Sequence, residues 1–234
     1  MSTSDSLGPM TTSHRRISLA AGVLYLLTFV SIPTLFIYDP VKSAGYILGA
    51  GPDTGAIGGG ILEIIVALAG IGTAVVLFPL LRRQHEGVAL WLVGARVLEG
   101  ACIFVGVAVI LSIVSLRQAG AGADALGAAR ALSTLYSTIF LVSQAFLPAI
   151  CDLLLGFLLY RSRLVPRALA LIGIVGAFPL VISWLATLFG TFGPQTAPSP
   201  LGAVLVALFE FSLGIWLIVK GFDPKAVAVL ESRG

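Results

Sequence analysis

A chain of 234 residues that is 58% hydrophobic and only 11% charged carries more apolar surface than a soluble fold can hide, since an ordinary soluble domain is about a quarter charged. Its net charge of +3 and pI near 9.1 do not argue for nucleic acid, because the basic residues stand at the ends of apolar runs instead of in one patch. Those runs use up nearly the whole length and leave no room for a separate soluble domain.

In chain order, residues 1–14 are expected to be a disordered tail, rich in Ser and Thr and without periodicity. The basic leader His14-Arg15-Arg16 precedes an apolar stretch longer than a signal-peptide core, and no Ala-x-Ala-like site follows. Residues 17–37 therefore read as an uncleaved first span. A span needs about 20 apolar residues to cross roughly 30 Å of hydrocarbon. Residues 56–81, 88–116, 131–160, 168–189 and 201–219 meet that length, and none shows the polar face of a helix packed in water. The expected fold is an all-α membrane bundle of six helices within residues 15–222, followed by a short tail at 223–234.

Short cytoplasmic loops retain positive charge. Arg15, Arg16, Arg82, Arg83, Arg161, Arg163, Arg167, Lys220, Lys225 and Arg233 fall on one side of the bundle, against Lys42, Arg117 and Arg130 on the other. The first side, with both termini, is expected in the cytoplasm. The opposite loops carry turn chemistry, Gly49-Ala50-Gly51-Pro52 and Gly193-Pro194 with Pro198 and Pro200, and the first has room for a short interfacial helix. Pro33, Pro148 and Pro179 mark expected kinks in spans 1, 4 and 5. Pro148 in particular must release the carbonyl of Gln144, which turns an acceptor toward the bundle.

Five ionisable residues fall inside spans: Glu63, Arg96, Glu99, Asp152 and Glu210. A charge at the centre of a lipid-embedded helix costs on the order of 2.5–3.5 kcal/mol, so each needs a partner. The orientation puts Glu63 in the outer half of its span, Glu99 and Glu210 near mid-depth, and Arg96 and Asp152 toward the cytoplasm. The last four are expected to converge. Arg96 and Glu99, three apart, share one helix face, and a planar guanidinium with five donors can hold two carboxylates at once. Asp152 and Glu210 are the expected second partners. One buried cation cannot balance all these acids, so the surplus acids should be protonated unless they reach water or another cation. Glu210, midway along an otherwise apolar span, is expected to be one of them.

Nothing points to an enzyme. Patterns of the H-E-x-x-H, G-x-S-x-G and P-loop kinds are absent, and His14 and His85 lie outside the spans. Cys102 and Cys151 have neither metal nor disulfide spacing and read as small apolar residues. No cofactor or metal is expected.

Four segments carry a family resemblance: Leu77-Phe78-Pro79-Leu80-Leu81 before a basic loop, Ala95-Arg96-Val97-Leu98-Glu99, Tyr160-Arg161-Ser162-Arg163-Leu164-Val165-Pro166-Arg167, and Trp216-Leu217-Ile218-Val219-Lys220-Gly221-Phe222. In this order they resemble the bacterial membrane family called domain of unknown function 4386. The resemblance covers roughly residues 15–222 and implies an integral membrane protein, while the richness in Ala and Gly points to a high-GC bacterium and so to its cytoplasmic membrane as the expected location. The resemblance supplies no substrate and no catalytic residue.

The leading functional expectation is a small transporter or permease-like protein. Its buried polar cluster of Arg96, Glu99, Asp152, Glu210, Gln144 and Glu63 would serve a proton or small polar solute. The alternative is a scaffold or accessory subunit in which the same charges only lock the bundle. A cavity opening on Arg96 and Glu210 favours the first, and a dry, fully paired cluster the second. The lipid bilayer is the expected partner and nucleic acid is not, while self-association is left open.

Overall fold

The computed structural model describes residues 12–43, 45–49, 51–191 and 200–232. The expected tail up to residue 11, the turn around Gly193-Pro194 and Pro198, and Arg233 lie outside the described residues. Every regular element within them is helical.

Helix α1 (Thr12–Leu27) begins inside the expected tail and gives way at Thr28–Ser31 to a 3₁₀ turn, followed by a short α2 (Thr34–Ile37). The interruption has two local causes. Pro33 lacks an N–H, and the Thr28 and Thr34 hydroxyls each donate 2.7 Å bonds to the carbonyls of Tyr25 and Ser31, competing with the helical ladder. Two further short helices, α3 (Asp39–Lys42) and α4 (Gly45–Leu48), lead into α5 (Thr54–Gln118).

At 65 residues, a straight α5 would be on the order of 100 Å long, about three times a bilayer core. It breaks at His85, whose backbone is extended (φ −164°, ψ 101°). The His85 Nδ1 accepts the N–H of Val88 at 3.2 Å, so the imidazole serves as an N-cap for the second arm. The arms then fold back on one another. A methyl group added at Gly60 would meet Val107, and one added at Gly100 would meet Ile71 and the carbonyl of Ala67. These pairs identify an antiparallel hairpin.

Helix α6 (Leu126–Leu141) runs through a π turn (Val142–Phe146) into α7 (Leu147–Ser162). The Leu147 N–H reaches back to Val142 O. This widened turn sits where Pro148 was expected to disturb the ladder. Arg163, in the left-handed region (φ 58°), ends α7. Helix α8 (Arg167–Leu188) is uninterrupted at Pro179. It turns Leu171, Val175, Phe178 and Ile182 outward and buries Gly173, Gly176, Ala177 and Leu180. An apolar exterior of this kind suits hydrocarbon rather than water.

Helix α9 (Pro200–Val219) is followed by α10 (Pro224–Glu231), bent 89° away from it. The segment expected as a tail is thus largely a helix. Asp223 caps it through bonds to Lys225 N and Ala226 N, and Val227 and Leu230 pack into the core. Around the bundle α1 lies against α9, α9 against α8, α8 against α7, and α7 against α5, which also packs on α1 and α6.

Among the described residues, four helical stretches are long and apolar enough to cross a membrane: Thr12–Ile37, Thr54–Gln118, Gly122–Ser162 and Arg167–Leu188. A fifth is counted if Ala203–Val219 and Pro224–Glu231 are taken together. The sequence expects six; its second and third spans are both contained in α5.

Helices α1 and α9 cross where Gly22 meets Gly214. A methyl at Gly22 would lie 2.7 Å from Gly214 O and from Ile218 Cγ1. Beside this crossing, the Ser18 hydroxyl donates to Leu217 O at 2.5 Å, and Arg15 donates to Ile218 O at 2.5 Å and Leu217 O at 3.2 Å, satisfying carbonyls that the end of α9 leaves free. Gly22→Val should therefore destabilise the fold by about 2 kcal/mol through overpacking. Gly94→Ala, where nothing lies within 4 Å of the new methyl, should leave stability equal or slightly raised. Thermal unfolding in detergent measures both, and equal melting temperatures for the two variants would contradict the close crossing.

Candidate functional site

The second arm of α5 carries Arg96 and Glu99 one turn apart, and both side chains face inward. The Arg96 Nη1 donates to Glu99 Oε2 at 3.1 Å. Its Nη2 donates to Glu210 Oε1 on α9 at 2.6 Å and lies 3.7 Å from Asp152 Oδ1 on α7. One guanidinium thus ties three helical segments, and the four residues expected to converge do so.

Their shares of the cation are unequal. Glu99 and Glu210 receive charge-assisted hydrogen bonds, the strong kind. Asp152, fully buried, has neither oxygen in a hydrogen bond. Glu210, expected both as a partner of Arg96 and as one of the protonated acids, is the carboxyl closest to the guanidinium, and Asp152 is the acid of the cluster left without a hydrogen bond. Two residues the sequence did not mark complete the cluster. Cys151, read there as a plain apolar residue, donates its thiol to Glu99 Oε2 at 3.5 Å, and the Tyr25 ring lies 5.9 Å from the guanidinium carbon.

Glu63 stands apart from this cluster. It is buried on the first arm of α5 and accepts the Tyr136 hydroxyl at 2.9 Å. Tyr38 meets the Tyr136 ring edge-on at 5.5 Å. Gln144, in the π turn, lies between the two acidic centres. It lines a cavity of about 290 Å³ that also touches Arg96, Glu99 and Glu210, and a minute void beside Glu63 and Tyr136.

A third polar group closes the open end of the α5 hairpin. Arg117 contacts the Asp53 carboxylate and the Gly51 carbonyl, and its guanidinium stacks 4.0 Å from the Tyr46 ring centre. Tyr46 Oη donates to Asp53 Oδ1 at 2.5 Å and Gln118 Nε2 to Oδ2 at 3.0 Å. The Tyr46 hydroxyl first, then the Gln118 amide and Arg117, hold the Asp53 carboxyl below its ordinary 3.8. A carboxyl whose pKa is lower in the folded state stabilises the fold above the ordinary value and loses that contribution as pH falls through the lowered one. Backbone amides of residues 45–49, Gly51 and Asp53 should accordingly exchange faster with solvent at pH 3 than at pH 7 after correction for intrinsic rates. Asp53→Asn should remove the difference. An unchanged pH response in that variant would assign the effect elsewhere.

The sequence treated Arg117 only as a topology signal. The clue to its partner was the hairpin symmetry about residue 84, which sets the early fifties opposite 117 and 118.

Among known proteins, a family model described as Domain of unknown function (DUF4386) matches residues 20–221. No curated protein and no solved structure matches the chain. The matched segment contains every residue of both acidic centres.

Proposed function

Since the chain belongs to the DUF4386 family, whose description names no activity, we propose from the geometry that it is a small multi-pass transporter of the bacterial cytoplasmic membrane. The buried cluster of Arg96, Glu99, Asp152 and Glu210 handles a proton or small polar solute. Each arm of α5 is one crossing, giving six in all, with both termini and the His85 turn in the cytoplasm. The ten-to-three distribution of basic residues supports this orientation.

The observation that carries the reading is the cavity of about 290 Å³ against Arg96, Glu99 and Glu210. A cluster that only locked helices together would need its ion pairs and no adjoining space. Intramembrane charges are costly to keep and mark transport pathways in other membrane proteins.

Proteoliposomes loaded with a pH-sensitive dye test the reading. The purified chain should dissipate an imposed pH gradient faster than protein-free vesicles, and Glu99→Gln should slow it. Vesicles indistinguishable from the protein-free control, with and without added polar solutes, would favour the scaffold. Orientation has its own test. A reporter active only outside the cytoplasm should be silent when fused after His85 or Leu164 and active after Gly122, and the reverse pattern would overturn the topology.

A further inference from the structure

We infer that the cavity beside Arg96 binds an organic cation with an apolar body, placing its charged end at Glu99 and Glu210 and its body along Phe29, Ile32 and Val206. The inference rests on the transport reading for its purpose, and on three observations for its chemistry.

The first is charge. Arg96 and Glu99 on α5, Cys151 and Asp152 on α7, Glu210 on α9 and Tyr25 on α1 are the titratable groups facing one another here. They comprise one permanent cation and three carboxyl groups. An arriving cation finds acids to neutralise it, whereas an anion finds a guanidinium already engaged by two of them.

The second is hydrogen-bond polarity. The Thr28 and Thr34 hydroxyls on the cavity wall donate to the carbonyls of Tyr25 and Ser31, so toward the cavity they offer lone pairs. Arg96 directs both Nη atoms at carboxylates, and its Nε, buried, has no partner. Besides that N–H, the Gln144 amide and the Ser31 hydroxyl, the polar side chains of the wall are the Thr28 and Thr34 oxygens and the carboxyl groups of Glu99 and Glu210, an acceptor-rich set that suits a ligand bringing positive charge.

The third is the remaining wall. It is apolar and includes the rings of Phe29 and Phe140, and a ring face attracts a cation. The volume lies at the small end of ligand sites, which run from about 300 Å³ upward. The rim is formed where α1 is interrupted, and Ile32 and Leu35 there are each 51% exposed. An apolar body can therefore approach along the hydrocarbon-facing surface.

Charge balance sets the coupling. In a neutral cluster, Arg96 offsets one ionised carboxyl and the other two are protonated. A bound monovalent cation takes over the balance of one more carboxyl, whose proton leaves to water. No covalent bond to the ligand forms or breaks, and about one proton is released per cation bound.

Three probes of similar shape, benzyltrimethylammonium, neopentylbenzene and benzylsulfonate, should be titrated calorimetrically into the full chain in lipid nanodiscs. The expected result is saturable binding of benzyltrimethylammonium alone, with a heat that depends on the ionisation enthalpy of the buffer as one released proton requires. Glu210→Gln should weaken it at least tenfold, while the exposed Glu86→Gln should not. Equal binding of neopentylbenzene, preferential binding of benzylsulfonate, or no binding of the cation would each overturn the inference without recourse to any variant. Cation binding with no flux in proteoliposomes would remove the transport reading and leave this one standing. Proton flux without cation binding would do the reverse.

Discussion

Arg96→Met is expected to remove most folded protein, at a cost of about 3–5 kcal/mol, because it strips the only guanidinium from a centre holding Glu99, Glu210 and Asp152. The methionine has a comparable apolar stem, so the loss comes from the charge and not from the space. The ionised carboxyl that Arg96 now offsets must then take up a proton or draw water into the bundle, and the tie between α5 and α9 is gone. The companion variant separates these effects. Arg96→Met combined with Glu99→Gln, Asp152→Asn and Glu210→Gln removes both signs of charge, and replacing a whole buried ionic group often restores stability when breaking half of it does not. Thermal unfolding in detergent should thus rank the parent and the quadruple variant well above the single one. A single variant as stable as the parent would mean that the cluster holds nothing together.

Asp152→Asn is expected to leave stability within about 1 kcal/mol of the parent while lowering proton flux in proteoliposomes by about 100-fold or more, the usual scale for losing a proton-transfer group. The stability forecast follows from geometry. The Asp152 side chain is fully buried, makes no hydrogen bond through either oxygen and sits 3.7 Å from the guanidinium, so an amide of the same shape breaks no strong contact. Glu210→Gln is the contrast, since it gives up the 2.6 Å bond to Arg96 and should destabilise more. Infrared difference spectra offer a direct view. A protonated carboxyl band should vanish in Asp152→Asn and survive in Glu210→Gln; the opposite assignment would return the proton to Glu210, where the sequence had placed it.

Much of the architecture was legible because it depends on local composition. The apolar runs, the i, i+3 placement of Arg96 and Glu99, and the disturbance ahead of Pro148 each follow from residues within a turn or two of one another. The choice among partners was not legible. Asp152 and Glu210 were equal candidates, and their ranking depends on how α7 and α9 rotate about their own axes, which no local pattern fixes. The same limit hid Tyr136 as the partner of Glu63, 73 positions away. It also hid the role of Arg117, whose contacts with Gly51 and Asp53 exist only once His85 has turned α5 back on itself. Cys151 was misread for another reason: its type and spacing are those of an ordinary apolar position, and only its contact with Glu99 distinguishes it. The C-terminal helix carried a local signal after all, since Asp223-Pro224 is a cap followed by proline at the first helical position.

The π turn at Val142–Phe146 has an angular consequence. Sixteen positions separate Tyr136 from Asp152, and in an uninterrupted α-helix, at about 100° per residue, their side chains would point about 160° apart. One of them would then look out at lipid. A single wide turn takes up roughly one extra residue and sets the downstream half back by about 100°, leaving the two directions about 60° apart. Both side chains are in fact buried, Tyr136 on Glu63 and Asp152 beside Arg96. One surplus residue in the winding thus lets a single rod attend to two separate acidic centres on the same side.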